Sequence, residues 1–408
     1  MTGKKIIIIG AGPSGSIAAA LLQKKGFQTV ILERQTFPRF SIGESLLPQC
    51  MAFIEEAGML EAVNAAGFQL KTGADFICGD KLSSFYFADK FSAGFPTTFQ
   101  VQRDRFDALL ATEAQRQGVV IHWQHQVVAA DFAHAKPMLT VVDAEANTYQ
   151  LEADFVLDAS GFGRVLPRLL ALESPSQFPV RQALFTHIED NIDCPHYDRQ
   201  QIRIVVHPEM ADVWFWLIPF SNGRSSLGVV GEPAVFSGFA DEQTAFHALV
   251  AQDPSLAKLL AQAKYDTPIN TIKGYSANVS SLYGNGYALL GNAGEFLDPV
   301  FSSGVTIAMK SASLAAKVLD AQFNGAGADW QRDFAEPLQK GVDTFRTYVS
   351  AWYTGELQDV IFYNRQQANI KAMICSILAG YVWDDNNPYV KNSQSRLNTL
   401  VELCRTPA

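Results

Sequence analysis

Apolar positions near the start of this chain come as short continuous runs. Ile6–Ile9 is a four-residue run that stops in Gly10-Ala11-Gly12-Pro13-Ser14-Gly15. An apolar run of that length bounded by glycines predicts a fully buried parallel strand. Ser14–Lys25, rich in Ala and Leu, predicts a helix that Gly26 ends, and Thr29–Leu32 predicts the next strand, completing a βαβ unit. Residues 36–48, with prolines at 38 and 48, read as irregular, and 49–66 as helical. Residues 100–118 predict a long helix through Arg103, Phe106, Leu109, Leu110 and Ala114. Val119–Trp123 and Gln126–Ala130 read as strands, Met138–Val142 and Tyr149–Ala153 as a hairpin, and Phe155–Asp158 as another buried strand.

From about residue 180 the pattern changes to alternation. Ile202–Val206, Val213–Ile218 and Ser226–Val230 predict an antiparallel sheet in a second lobe. Residues 240–264 read as helical, and Tyr287–Leu290 as a strand returning to the first lobe. Val305–Phe323, the stretch from Asp329 and the aromatic-rich stretch 342–383 read as helices. The order predicts an α/β protein with an α+β second lobe. A discontinuous nucleotide-binding domain is expected from 1–75, 100–175 and 280–325. A substrate domain is expected from 76–99 and 176–279, and a helical C-terminal region from 326–408.

Composition narrows the class. Of 408 residues, 48% are hydrophobic and 18% charged, which fits a large packed core and excludes disorder. The net charge of −9 comes without any basic stripe, which argues against nucleic acid or an anionic membrane as partner. Cys50, Cys78, Cys194, Cys375 and Cys404 are odd in number and lack a CxxC spacing. They predict neither a disulfide framework nor a zinc site, and a reducing cytoplasm is the expected compartment. Lys4–Lys5 before Ile6–Ile9 superficially resembles a signal peptide, but the apolar run is too short and runs into the glycines. No run reaches a membrane-spanning length of about 20 residues, and the best candidate, Ile374–Trp383, is too short. Of the seven histidines only His122 and His125 approach metal-ligand spacing, and around a strand they would face opposite sides, so no metal site is expected.

The glycines carry the first chemistry. Gly10-x-Gly12-x-x-Gly15 follows a strand and opens a helix. The first glycine allows the tight turn, the second lets backbone approach a diphosphate, and the third lets helix pack on strand. The diphosphate would sit on free N–H groups at the positive end of the helix. Glu33, 18 residues after Gly15, ends the second strand where an acid can accept from ribose hydroxyls. The fingerprint predicts a bound dinucleotide but does not choose between FAD and NAD.

Other segments do choose, by resemblance. Pro38-Arg39-Phe40-Ser41-Ile42-Gly43-Glu44-Ser45-Leu46-Leu47-Pro48, Gln100-Val101-Gln102-Arg103, Asp158-Ala159-Ser160-Gly161, Trp214-Phe215-Trp216-Leu217-Ile218-Pro219 and the segment from Gly291 to Val305 resemble, in order, the signatures of flavin-dependent halogenases. The likeness spans roughly residues 4–310 and is nearest the halogenase-like members of aryl polyene and flexirubin pigment clusters. It implies a Rossmann-like FAD domain of the para-hydroxybenzoate-hydroxylase type. It implies FAD contacts at Gly10, Gly12, Pro13, Ser14, Gly15, Glu33, Arg34, Ile42, Gly43, Arg103 and Val127. Further contacts are implied at Asp158, Ala159, Gly161, Gly291, Asn292, Asp298, Pro299, Ser303, Gly304 and Val305. The last three would open a helix whose positive end faces the flavin pyrimidine.

The resemblance also implies a reaction. Reduced FAD and oxygen would form a flavin hydroperoxide, chloride or bromide would attack it, and the hypohalous acid would travel to a lysine beside an aromatic substrate, free or carrier-bound. Lys71 matches that lysine; the plainer reading is a solvated surface lysine. Trp214 and Trp216 share a strand face and match the wall between flavin and substrate; the plainer reading is packed core. Glu44 would orient the flavin loop or gate a tunnel; the plainer reading is a carboxylate capping nearby N–H groups. Val213, Ile77, Cys78, Asn292 and Thr306 depart from the halogenase pattern and weaken the case for halide more than the case for FAD. No second nucleotide fingerprint is found, and Gly284-Asn285-Gly286 lacks the following helix, so a separate flavin reductase is expected. Two alternatives stand beside the halogenase: a flavin monooxygenase or dehydrogenase that uses no halide, and a non-catalytic FAD-binding partner. For the last, Tyr348, Trp352, Tyr353, Phe362 and Tyr363 would form a docking surface; the plainer and favoured reading is core packing or a substrate lid.

Overall fold

Ile6–Ile9 lies deep in a parallel sheet of the computed structural model, which describes residues 3–406. The sheet runs Tyr283–Gly284, Tyr287–Leu289, Phe155–Asp158, Lys5–Ile9, Gln28–Glu33, Val120–Trp123, and only the edge hairpin is antiparallel. Alternate isoleucines serve two cores. Ile6 and Ile8 face a core shared with the helices Pro13–Lys24 and Ser303–Phe323, while Ile7 and Ile9 face Val127, Leu139 and Val141 of a three-stranded sheet. Both faces are covered, which is why the strand reads as a continuous apolar run.

The second lobe is a seven-stranded sheet. Its order is Asn270–Lys273, Gln182–Glu189, Arg224–Gly231, Trp214–Pro219, Gln201–Val206, Gly73–Cys78, Lys81–Tyr86. Even positions of Trp214–Pro219 face the large core, and Phe215 and Leu217 face the helices Glu242–Gln252 and Pro254–Leu259. The expected all-antiparallel arrangement fails at one place: Gln201–Val206 pairs in parallel with Gly73–Cys78. That pairing joins segments more than a hundred residues apart, so no turn signal announces it, and the alternation pattern alone carries no direction.

Predicted helices break where backbone chemistry requires it. Residues 49–66 divide at Gly58, whose φ is +73°, into Gln49–Glu56 and Leu60–Ala65. Residues 240–264 divide at Asp253, which caps a new helix by accepting from Leu256 N. The aromatic C-terminal stretch is the helices Glu336–Tyr353, Glu356–Ile361 and Ala368–Leu378. Tyr348 and Trp352 are fully buried, with Trp352 packed against Phe76, Trp214 and Phe301. These two residues are core and are not available for docking. His122 and His125 also depart from expectation. Gln124 adopts φ +59°, which turns the chain and brings the two rings to 5.1 Å on one side.

Candidate active site

The two lobes meet over a cleft of about 560 Å³. One wall is the carboxyl end of the parallel sheet, where open α/β sheets place ligands. There Gly10 has φ +99°, and a Cβ on it would lie 2.7 Å from Ala159 O. Gly12 opens on the cleft with nothing closer than Arg39 Nη2 at 3.7 Å. The helix Pro13–Lys24 begins there without a side-chain cap, and so does Ser303–Phe323, from Ser302 at φ +55°. Two uncapped helix starts give free N–H groups and positive dipole ends on one cleft. That donor set fits an anionic dinucleotide such as FAD.

Among the residues expected at the cofactor, Gly10, Gly12, Pro13, Ser14, Glu33, Arg34, Ile42, Gly43 and Arg103 line this cleft. So do Val127, Ala159, Gly161, Asn292, Pro299, Ser303, Gly304 and Val305. Glu33 is buried and accepts from Ala11 N at 2.8 Å and Gln35 N at 3.0 Å, so it fixes the glycine turn as well as facing the cleft. Arg103 forks onto Asp107 through Nε and Nη2 and donates from Nη1 to Ile42 O at 2.6 Å, holding the 42–43 backbone in the wall.

Four expected contacts lie behind the wall. Gly15 packs on the strand so closely that a Cβ would lie 1.9 Å from Gly10 O. Gly291 sits against Ala308 of the long helix and donates to Ser311 Oγ. Asp158 is fully buried and its carboxylate accepts from Ser160 N and Leu166 N. Asp298 turns away from the cleft to accept from Val300 N at 2.9 Å, Tyr353 Oη at 2.8 Å and Tyr275 Oη at 3.3 Å. Burial pushes its carboxyl up to about 6. These aspartates hold backbone and tyrosines in place; sequence spacing alone did not reveal which way they point.

The opposite wall is apolar: Ile202, Ile204, Trp214, Trp216 and Ile218. The indoles stand 5.9 Å apart. Trp216 lies across Gly228, where a Cβ would meet its ring at 2.2 Å, and it donates to Ser226 Oγ at 3.1 Å. Trp214 donates to Tyr353 Oη at 3.2 Å. Both rings are buried, yet both edge the cleft, so packing and wall are one role here.

Lys71 is 1% exposed, which rules out a solvated surface lysine. It stands outside the lining of the cleft. Its Nζ donates to Leu46 O at 2.9 Å, one residue beyond the cleft-lining Glu44 and Ser45, and lies 5.3 Å over the Phe87 ring. Burial lowers its pKa to about 7, and the nearby Cys50 opposes that shift. Cys50 is buried against Thr306 Oγ1 at 3.1 Å, and burial pushes its thiol up. Glu44 does not cap its own loop. Its Oε1 meets His187 Nε2 at 2.6 Å, and its Oε2 has no partner among the described residues. His187 and Tyr353 are the site residues that sequence reasoning did not place, because both meet their partners only across the lobes. Gly284–Gly286 is the turn of the edge hairpin, not a second nucleotide loop. Among the described residues no helix is long and apolar enough to cross a membrane.

Comparison with known proteins fits this geometry. The family model described as "FAD binding domain" matches residues 4–337. A crystal structure of a flavoprotein/dehydrogenase from Cytophaga hutchinsonii is 44% identical, covers 98% of each chain and superposes with a TM-score of 0.95. A tryptophan 2-halogenase from Chondromyces crocatus is 31% identical over 76% of this chain, and the chain spans only 60% of that relative's length. A 1H-pyrrole-2-carbonyl-(peptidyl-carrier protein) chlorinase from Pseudomonas fluorescens is 25% identical over 97% of this chain and 93% of its own.

Proposed function

We propose that this chain, which belongs to the FAD binding domain family and has halogenases among its relatives, is an FAD-dependent oxidoreductase that halogenates an aromatic substrate. The carrying observation is Lys71. A lysine this buried with no carboxylate beside it is costly, and such groups concentrate at functional sites. FAD, once reduced, supplies the electrons that activate oxygen. The cleft residues named above would hold it, with the 303–305 amides at the flavin end and Gly10–Ser14 at the diphosphate.

On this reading Trp214 and Trp216 keep the aromatic substrate off the cofactor, and Lys71 donates a hydrogen bond from Nζ to hypohalous acid arriving past Glu44 and Leu46. With a pKa near 7, the amine holds a proton part of the time at neutral pH, which suits a group that gives and recovers one. The parallel-sheet lobe would serve the cofactor and the seven-stranded lobe the substrate, which the chlorinase relative suggests is carrier-bound. Electrons would come from a separate reductase, and five free thiols suit a reducing cytoplasm. The test supplies reduced FAD, oxygen and bromide or chloride with free and carrier-bound phenols and pyrroles. Halogenated product is expected from the native protein, and none from Lys71→Met, which should still consume reduced FAD. No halogenated product and no hypohalous acid from the native protein across the panel would overturn the reading.

One observation favours a second reading. Cys50 lies close enough to Lys71 for each to perturb the other's titration, and a thiol is readily oxidised by hypohalous acid. A halide-free oxygenase or dehydrogenase would spare it. Hydroxylated or desaturated product in halide-free buffer would select that reading.

A further inference from the structure

Glu44 is buried, lines the cleft and reaches 143 residues along the chain to His187, in the strand Gln182–Glu189 of the other lobe. An unpaired carboxylate oxygen there carries a desolvation cost, so the bond is kept against a penalty. The backbone around Glu44 has two further duties. Glu44 O accepts from Val101 N at 2.7 Å and Leu46 N donates to Phe99 O at 3.1 Å, which threads the segment along Thr98–Gln100. Leu46 O then anchors Lys71. One carboxylate–imidazole bond therefore acts on a cleft wall and on the lysine's anchor together.

We propose that His187 is a positioning residue: through Glu44 it clamps the 44–46 segment to the seven-stranded sheet and sets both FAD affinity and the placement of Lys71. This rests on reading the cleft as the FAD site and is independent of halide use. The imidazole sits edge-on to Phe40 and Phe220 at 5.6 and 5.3 Å. Asp104, on the helix Arg103–Arg116, adds attraction. Arg224, on the neighbouring strand, opposes it while itself paired with Asp266. Burial disfavours the imidazolium most, but the hydrogen bond and charge of Glu44 outweigh it, and His187 titrates above an ordinary histidine. The clamp is strongest with His187 protonated and weakens as pH rises through that raised value.

The experiment titrates apoprotein with FAD in halide-free buffer from about pH 6 to about pH 9, a range that brackets histidine. It compares native protein, His187→Ala and His187→Gln, and follows the Lys71 and His187 side chains by NMR. Native Kd should rise several-fold across the range. His187→Ala should bind several-fold more weakly at the acid end and show no slope, with the Lys71 resonance displaced. His187→Gln keeps a donor without charge and should be intermediate, also without slope. Unchanged Kd, slope and Lys71 titration in His187→Ala would overturn the proposal. An imidazole pKa in the native protein at or below about 6.5 would do so without any substitution. Failure of the native protein to bind FAD would instead remove the cofactor reading beneath it.

Discussion

Lys71 keeps a titratable amine where water does not reach, and its pKa of about 7 against an ordinary 10.5 fixes the sign of its contribution. Folding disfavours the charged form, so the cost is full below about pH 7 and is relieved as pH climbs toward 10.5. Replacing the lysine by Met should raise thermal stability most at acid pH and flatten the climb, as melting curves across that interval will show. Asp298 has the opposite chemistry and a cost of its own. Its carboxyl titrates near 6 instead of 3.8, so its penalty is absent below about pH 4 and complete above about pH 6. Asp298→Asn keeps an acceptor for Val300 N and Tyr353 Oη. It should stabilise the protein at pH 8 by up to about 3 kcal/mol and have little effect at pH 4, read from chemical denaturation at the two pH values. The position of both residues was legible in the sequence. Their burial was not, because it depends on Phe87, Tyr275 and Tyr353, which arrive from other parts of the chain.

At the scale of elements, the parts that were legible are those closed by neighbours in sequence. Strand, glycine turn, helix and second strand all fall within residues 5–33, so pattern and turn chemistry suffice. Gly15 shows how tightly they close: Gly15→Ala would drive a methyl into Gly10 O and should abolish FAD binding, measured by flavin retention on purification. Gly228 is the counterpart in the other lobe and gave no sequence signal, since its need for a bare Cα comes from Trp216 on the adjacent strand. Gly228→Ala should force the indole to shift, cost about 1–3 kcal/mol and change the near-UV circular dichroism. The strand Gly73–Cys78 escaped for a related reason, because its parallel partner Gln201–Val206 is remote.

At the scale of the molecule, Tyr353 joins three regions. It comes from the C-terminal helices, donates to Asp298 behind the glycine-turn wall and accepts from Trp214 of the apolar wall, with Arg181 4.0 Å over its ring. Tyr353→Phe leaves Asp298 and the Trp214 indole each short of a partner. It should cost about 1–3 kcal/mol and loosen Trp214, seen as a red-shifted tryptophan emission. The cleft itself draws on residues from Ile9 to Ala308. A nascent chain leaving the ribosome can fold its first βαβ unit early, yet it has no complete berth for a flavin until about three-quarters of its length has emerged. Until then the apolar faces destined for both walls stay exposed, and the interval before the cleft closes is when the chain is most open to misassembly.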